Sequence, residues 1–116
     1  MKNIIKIRQE IHMYPEGGFK EFKTYKLVKD TLLSFGYAEE ELIVCAGTGL
    51  FVNLKGTGEE SQPEKVMAVA LRADMDGLPI PENNKKLKYT SQTDYAHMCG
   101  HDGHTATLLA TAKALI

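Results

Sequence analysis

Val66-Met67-Ala68-Val69-Ala70-Leu71, running straight into Arg72-Ala73-Asp74-Met75-Asp76-Gly77-Leu78-Pro79, is the stretch on which the expected fold turns. Six apolar residues without alternation predict a strand covered on both faces, the kind found in sheets flanked by helices. In open α/β sheets ligands gather beyond the carboxyl ends of strands, so the acidic segment that follows is the expected place for chemistry. Asp74 and Asp76 alternate, and in an extended chain both carboxylates point to one side. Two such carboxylates repel unless a cation or a proton holds them. A solvated turn in which Asp74 pairs with Arg72 is the plain alternative.

The segments upstream fit an α/β arrangement. Ile4, Ile7 and Ile11 recur at spacings of three and four, which predicts an amphipathic helix ending before Pro15, with His12 at its end. After the turn Tyr14-Pro15-Glu16-Gly17-Gly18, a second apolar stripe runs through Phe19, Phe22, Tyr25, Val28, Leu32 and Phe35, and Gly36 closes it as a C-cap. The period then changes. Leu42 to Ala46 and Leu50 to Leu54 read as two strands joined by Gly47-Thr48-Gly49. Lys55 to Glu64 reads as a solvated loop, and Gly103 to Ile116 as a further helix. Helix, helix, strand, strand, buried strand, helix predicts a mixed sheet with helices on both faces.

Downstream, Ala96-His97-Met98-Cys99-Gly100-His101-Asp102-Gly103-His104 places one cysteine, three histidines and an acid in nine residues at the mouth of the last helix. A thiolate and an imidazole separated by one glycine can face a common point, because the glycine lets the backbone fold tightly around a cation. Zinc, cobalt and manganese are the natural candidates. A buried neutral cysteine beside histidines that cap a helix is the bland reading, and density tells against it. His97 and His12 are read as structural, Cys45 as a small buried hydrophobe, and Asp102 as either a helix cap or a support for a ligand.

Composition narrows the partners. The chain has 116 residues, 43% of them hydrophobic, which suits one core. Fourteen basic and fifteen acidic residues leave a formal charge of -1, so no basic field draws in a phosphate backbone. Nucleic acid and membrane are not expected partners. Two cysteines are too few for a disulfide framework, and a reducing, cytoplasmic setting is the expectation.

Together, Arg72-Ala-Asp-Met-Asp-Gly-Leu-Pro79 and His97-Met-Cys-Gly-His-Asp-Gly-His104 resemble the amidohydrolase subgroup of the aminoacylase and carboxypeptidase metallopeptidase family, which includes hippurate hydrolases, indole-acetyl-amino-acid hydrolases and N-acetyldiaminopimelate deacetylases. Arg8 to Glu16, with Phe19 and Glu21, and Gly47-Thr-Gly-Leu50 match the family's amino-terminal pattern as well. Gly17 departs from it, standing where leucine is more common after Pro-Glu.

The resemblance implies a hydrolase that cleaves the amide of N-acyl amino acids by metal-activated water, using two divalent ions, manganese or zinc. It implies Cys99 and His101 as metal ligands, Cys99 bridging the ions. Asp74, standing where other members carry a histidine, is the implied active-site acid. Asp76 is the implied partner that orients a ligand, and Asp102 and His104 are supporting residues. The family's catalytic Glu-Glu pair and two later histidine ligands have no counterpart after His104. Residues 1–116 are therefore expected to be the amino-terminal portion of the catalytic domain, without the lid and dimerisation domain, and the complete enzyme to be a homodimer. Two other readings stay open: a non-catalytic metal-binding or protein-interaction module derived from the family, and a thiol enzyme with Cys99 as nucleophile and His101 or His104 as base.

Overall fold

The computed structural model describes residues 3–58 and 68–116. The isoleucine spacing yields α1, Ile4–Met13, which opens on Asn3: its side-chain oxygen accepts from the amide of Ile5 at 2.9 Å. Ile7 and Ile11 are buried to 2% exposure or less, and His12 in the last turn is buried with them.

The second stripe yields α2, Phe22–Phe35. Its own N-cap, Glu21, makes no side-chain capping bond; the turn before it does that work. The Glu16 carboxylate accepts from the amides of Lys23 (2.9 Å) and Thr24 (2.8 Å) and from the Thr24 hydroxyl (2.8 Å). An anion is thereby placed at the positive end of the helix dipole. Gly36 ends α2 in the left-handed conformation, as expected.

The change of period yields a hairpin: β1, Leu42–Cys45, pairs antiparallel with β2, Gly49–Val52, in the register Leu42↔Val52 to Cys45↔Gly49. The turn is tied back to α2 by a hydrogen bond from the Thr48 hydroxyl to Glu21. Finally α3, His101–Leu115, packs mainly against α1 and secondarily against α2. The core joins Ile7 and Ile11 of α1, Val28 and Leu32 of α2, Tyr37, Leu42 of β1 and Leu109 of α3. Tyr37 also donates its hydroxyl to the carbonyl of Ala112 at 2.8 Å, pinning α3 to the end of α2.

The result is a mixed α/β fold, but its sheet has two strands among the described residues. The run that was to be the buried strand is corrected. Val66 and Met67 lie outside the described residues; Ala68 to Leu71 form no strand and are exposed, Val69 to 87%. An apolar strand is buried only when neighbours cover it, and no described strand pairs with this one. Cys45 is corrected for the same reason: little covers the hairpin beyond Leu42, so Ile43, Val44, Cys45 and Phe51 are exposed rather than buried. The last helix begins at His101, two residues earlier than its sequence pattern suggests.

Candidate metal centre

Two segments converge at the start of α3. Leu78 and Ala96 exchange backbone hydrogen bonds, both 2.9 Å, in an isolated antiparallel bridge. That bridge brings the Asp74–Asp76 segment alongside the loop that leads into His101. The amide of Gly77 donates to the carbonyl of Glu16 at 2.7 Å, and Gly77 is packed so closely on Pro15 that a Cβ there would lie 2.9 Å from the proline ring. Gly17 is held in the same way: a Cβ would meet the Tyr95 ring at 2.8 Å. The departure at Gly17 therefore makes room for Tyr95.

Gly100 sits between Cys99 and His101 with φ 77°, a left-handed conformation that a side chain disfavours. The chain turns there into α3, leaving Cys99 exposed on the turn and His101 on the first helical residue.

His101 is held by the acidic segment. Its Nδ1 lies 3.0 Å from Asp76 Oδ1 and 2.9 Å from the Asp76 carbonyl oxygen. Both are acceptors, so Nδ1 is the donor and Nε2 is the ring nitrogen left facing away from Asp76. Nε2 lies 4.0 Å from Asp74 Oδ2. Asp74 is shared: it pairs with Arg72, as the plain reading anticipates, and also faces the imidazole. Its carbonyl accepts from the Thr105 hydroxyl at 2.9 Å, which ties the acidic segment to the second turn of α3. His104 is exposed one turn on, its ring 6.0 Å from that of His101.

Asp102 does not cap the helix. It is fully buried and points into α1, where Oδ2 accepts from Arg8 Nε at 2.8 Å and from His12 Nδ1 at 2.7 Å. Arg8 Nη2 is also 3.4 Å from His12 Nδ1, but both are donors there and the shorter contact to the carboxylate governs. His12 Nε2 in turn lies 2.9 Å from Glu82 Oε1. The other oxygen of Glu82 accepts from the amide of Ser91 and, at 3.1 Å, from the Thr90 hydroxyl. Burial pushes the Glu82 carboxyl up, yet the hydrogen bonds from His12, Ser91 and Thr90 outweigh it and hold the group below its usual value.

His97 is 6% exposed, its ring 6.4 Å from that of His12, and burial pushes it below the ordinary imidazole value against the opposing pull of Asp102. Both its ring nitrogens and Asp102 Oδ1 are buried without a hydrogen-bond partner among the described residues.

Sequence reading did not find Glu82, and it left His12 and Arg8 outside the site. A signal existed only for the latter two: spaced four apart on α1, they share a face.

An imidazole whose Nδ1–H is fixed by a carboxylate, leaving Nε2 available, is how metal-dependent enzymes prepare a histidine ligand, and Cys99 stands two residues before it. The donors are suited to a borderline divalent ion, thiolate and imidazole both being zinc-type ligands. They fit it as part of a shell: no group of three or more His, Cys, Asp or Glu side chains converges for a metal among the described residues.

Known proteins agree with that class. Residues 70–116 match the description Peptidase family M20/M25/M40. The chain is 46% identical to thermostable carboxypeptidase 1 of Saccharolobus solfataricus, with 97% of the chain aligned to 27% of that protein. It is 44% identical to an N-acyl-L-amino acid amidohydrolase of Geobacillus stearothermophilus, with 96% of the chain aligned to 28% of the relative. A solved Bacillus subtilis structure described as a dinuclear metal binding peptidase from the M20 family superposes with a TM-score of 0.81 at 33% identity, over 97% of this chain and 29% of that one. The chain matches the M20/M25/M40 peptidase family over residues 70–116, and it spans a little over a quarter of the length of these relatives.

Proposed function

We propose that this chain supplies part of the active site of a metal-dependent amidohydrolase that releases the amino acid from N-acyl amino acids. The observation that carries the reading is the pairing of His101 Nδ1 with Asp76, which leaves Nε2 open toward Asp74. In this reading residues 1–116 are the amino-terminal portion of the catalytic domain. The hairpin and the apolar run at 68–71 join a larger sheet with helices on both faces. The substrate class follows the name of the Geobacillus relative. A cytoplasmic homodimer is the expected complete form; among the described residues no helix is long and apolar enough to cross a membrane.

Cys99 and His101 would hold the ion, in a centre of two divalent ions, zinc or manganese, to which the rest of the protein adds ligands. A bound ion supplies Lewis-acid polarisation of the scissile carbonyl and brings the pKa of water toward neutrality. The residues of this chain prepare the ground for that chemistry. Asp76 locks the His101 tautomer. Asp74, which faces the His101 imidazole as well as Arg72, would be the acid beside the reacting centre. Gly100 sets the turn that separates the two ligands by one residue. Asp102 and His104 support the first turn of α3, from within and from the surface.

The experiment is metal-dependent hydrolysis of N-acyl amino acids by the protein carrying the remainder of the catalytic domain, compared with Asp74→Asn. Zinc- or manganese-dependent release of amino acid, lost by orders of magnitude in a folded Asp74→Asn variant, is the expected result. Unchanged turnover in that variant assigns Asp74 to the turn with Arg72. Metal binding without hydrolysis supports the non-catalytic module instead.

A further inference from the structure

The start of α3 carries His101 and is entered from Cys99, yet its N-cap, Gly100, offers no side-chain capping bond. What holds that turn lies one residue further in. Asp102 turns its carboxylate into α1, and its Oδ2 takes two hydrogen bonds from donors on that helix, Arg8 Nε and His12 Nδ1. Arg8 is partly exposed, whereas His12 is buried and cannot turn away to water. Its second nitrogen is held by Glu82, whose far oxygen is fixed by the backbone amide of Ser91 and the hydroxyl of Thr90. The shortest contact of each His12 ring nitrogen is to a carboxylate oxygen, 2.7 Å from Nδ1 to Asp102 and 2.9 Å from Nε2 to Glu82, so the ring has one orientation.

We propose that His12 is a positioning residue for the metal centre: clamped between Glu82 and Asp102, it fixes the first turn of α3 and with it the angle at which His101 and Cys99 are presented. The clamp spans three parts of the chain, α1, the 82–91 loop and α3, so the orientation of the ligands is set by the core rather than by the exposed turn that bears them. An acid in the first turn is also favoured by the helix dipole, which adds to the hold of Asp102 on that turn. The part of the proposal that concerns metal rests on the proposed function; the part that concerns the turn does not.

Two readouts separate them. The first is site-resolved amide hydrogen exchange on the 116-residue chain without metal, comparing His104, whose amide closes on the carbonyl of Gly100 at 3.0 Å, with Leu109 and Ala112 in the body of α3. His12→Leu is expected to speed exchange at His104 and Thr105 by about tenfold or more, the factor for one lost charge-assisted hydrogen bond. Leu109 and Ala112 are expected to stay within about twofold. Glu82→Gln keeps an acceptor for His12 Nε2 and is expected to leave the first turn near the parent rate. Equal acceleration along the whole helix, or none at the first turn, overturns the proposal. If His12→Leu does not fold, Arg8→Gln decides, since it removes the other donor to Asp102 from a partly exposed side chain. Selective loosening of the first turn supports the clamp, and unchanged exchange overturns it.

The second readout is zinc titration by calorimetry. An outer partner of this kind is expected to lower affinity by about 10- to 100-fold when removed. This titration uses the protein carrying the remainder of the catalytic domain: a parent protein that binds no zinc while the exchange result holds refutes the metal reading and leaves the clamp standing. A parent protein that binds zinc, with His12→Leu binding equally well, overturns the positioning role.

Discussion

Breaking the Asp102–His12 pair is expected to be among the most destabilising single changes available in this chain. Asp102 has no exposure, and its Oδ2 carries two short charge-assisted bonds, 2.7 Å from His12 and 2.8 Å from Arg8. Asp102→Ala leaves two donors aimed at a void, one of them buried; removing one partner from a buried ion pair costs about 3–5 kcal/mol. His12→Ala takes one donor from each of two buried carboxylates, leaving Asp102 with Arg8 and Glu82 with Ser91 and Thr90, and is expected in the same range. Against a total stability of roughly 6–17 kcal/mol for a chain of this length, either variant is severe but measurable. The two changes delete one shared interaction, so the double variant is expected to cost less than the sum of the singles, with a coupling of about 1–3 kcal/mol. Urea denaturation followed by far-ultraviolet circular dichroism, at constant m-value, gives the four free energies. Singles below about 1 kcal/mol, or additivity within about 0.5 kcal/mol, would refute the claim that this pair organises the junction of α1 and α3.

Three further expectations come from neighbouring contacts. Glu82 is held below its ordinary value of 4.5 in the folded chain, so its contribution is present above that pH and is lost as pH falls through the folded value; Glu82→Gln should flatten the decline in stability below pH 4.5 in a denaturation series. Glu16→Ala removes the capping oxygens from Lys23 and Thr24 and should lower stability by about 0.5–2 kcal/mol, whereas neutralising the exposed Lys26–Asp30 pair should cost no more than about 0.5 kcal/mol. Gly17→Ala forces the new Cβ against Tyr95 and should destabilise by about 1–3 kcal/mol, and the double variant Gly17→Ala, Tyr95→Ala should recover part of that loss.

Much of this architecture is legible along the sequence because local period encodes it. The isoleucines of α1 and the stripe of α2 mark helices, Gly36 marks a helix end, and the apolar runs either side of Gly47-Thr48-Gly49 mark a hairpin. The failures share a physical cause. An apolar run such as Ala68 to Leu71 declares what it would gain by burial, but burial depends on neighbours that no local pattern supplies; Cys45 in the hairpin is misread for the same reason. The site divides likewise. Cys99, His101 and Asp102 lie within one short motif, and Asp74 and Asp76 within another, so their residue types announce chemistry. His12 shares a face of α1 with Arg8, but its carboxylate partners lie 70 and 90 residues away, and Glu82 sits in a loop without periodicity, so spacing offers no hint of that pairing. A cap and a core ion pair look identical in sequence at Asp102; only the position of α1 distinguishes them.

The claim on which the functional account rests is that Cys99 and His101 bind one ion together. X-ray absorption at the zinc edge, on the zinc-loaded chain and its Cys99→Ser variant, tests it directly. The account predicts one sulfur neighbour at about 2.3 Å and at least one nitrogen at about 2.0–2.1 Å in the parent, with the sulfur shell gone in Cys99→Ser. A parent spectrum fitted by oxygen and nitrogen alone, or a sulfur shell that survives the substitution, would contradict it.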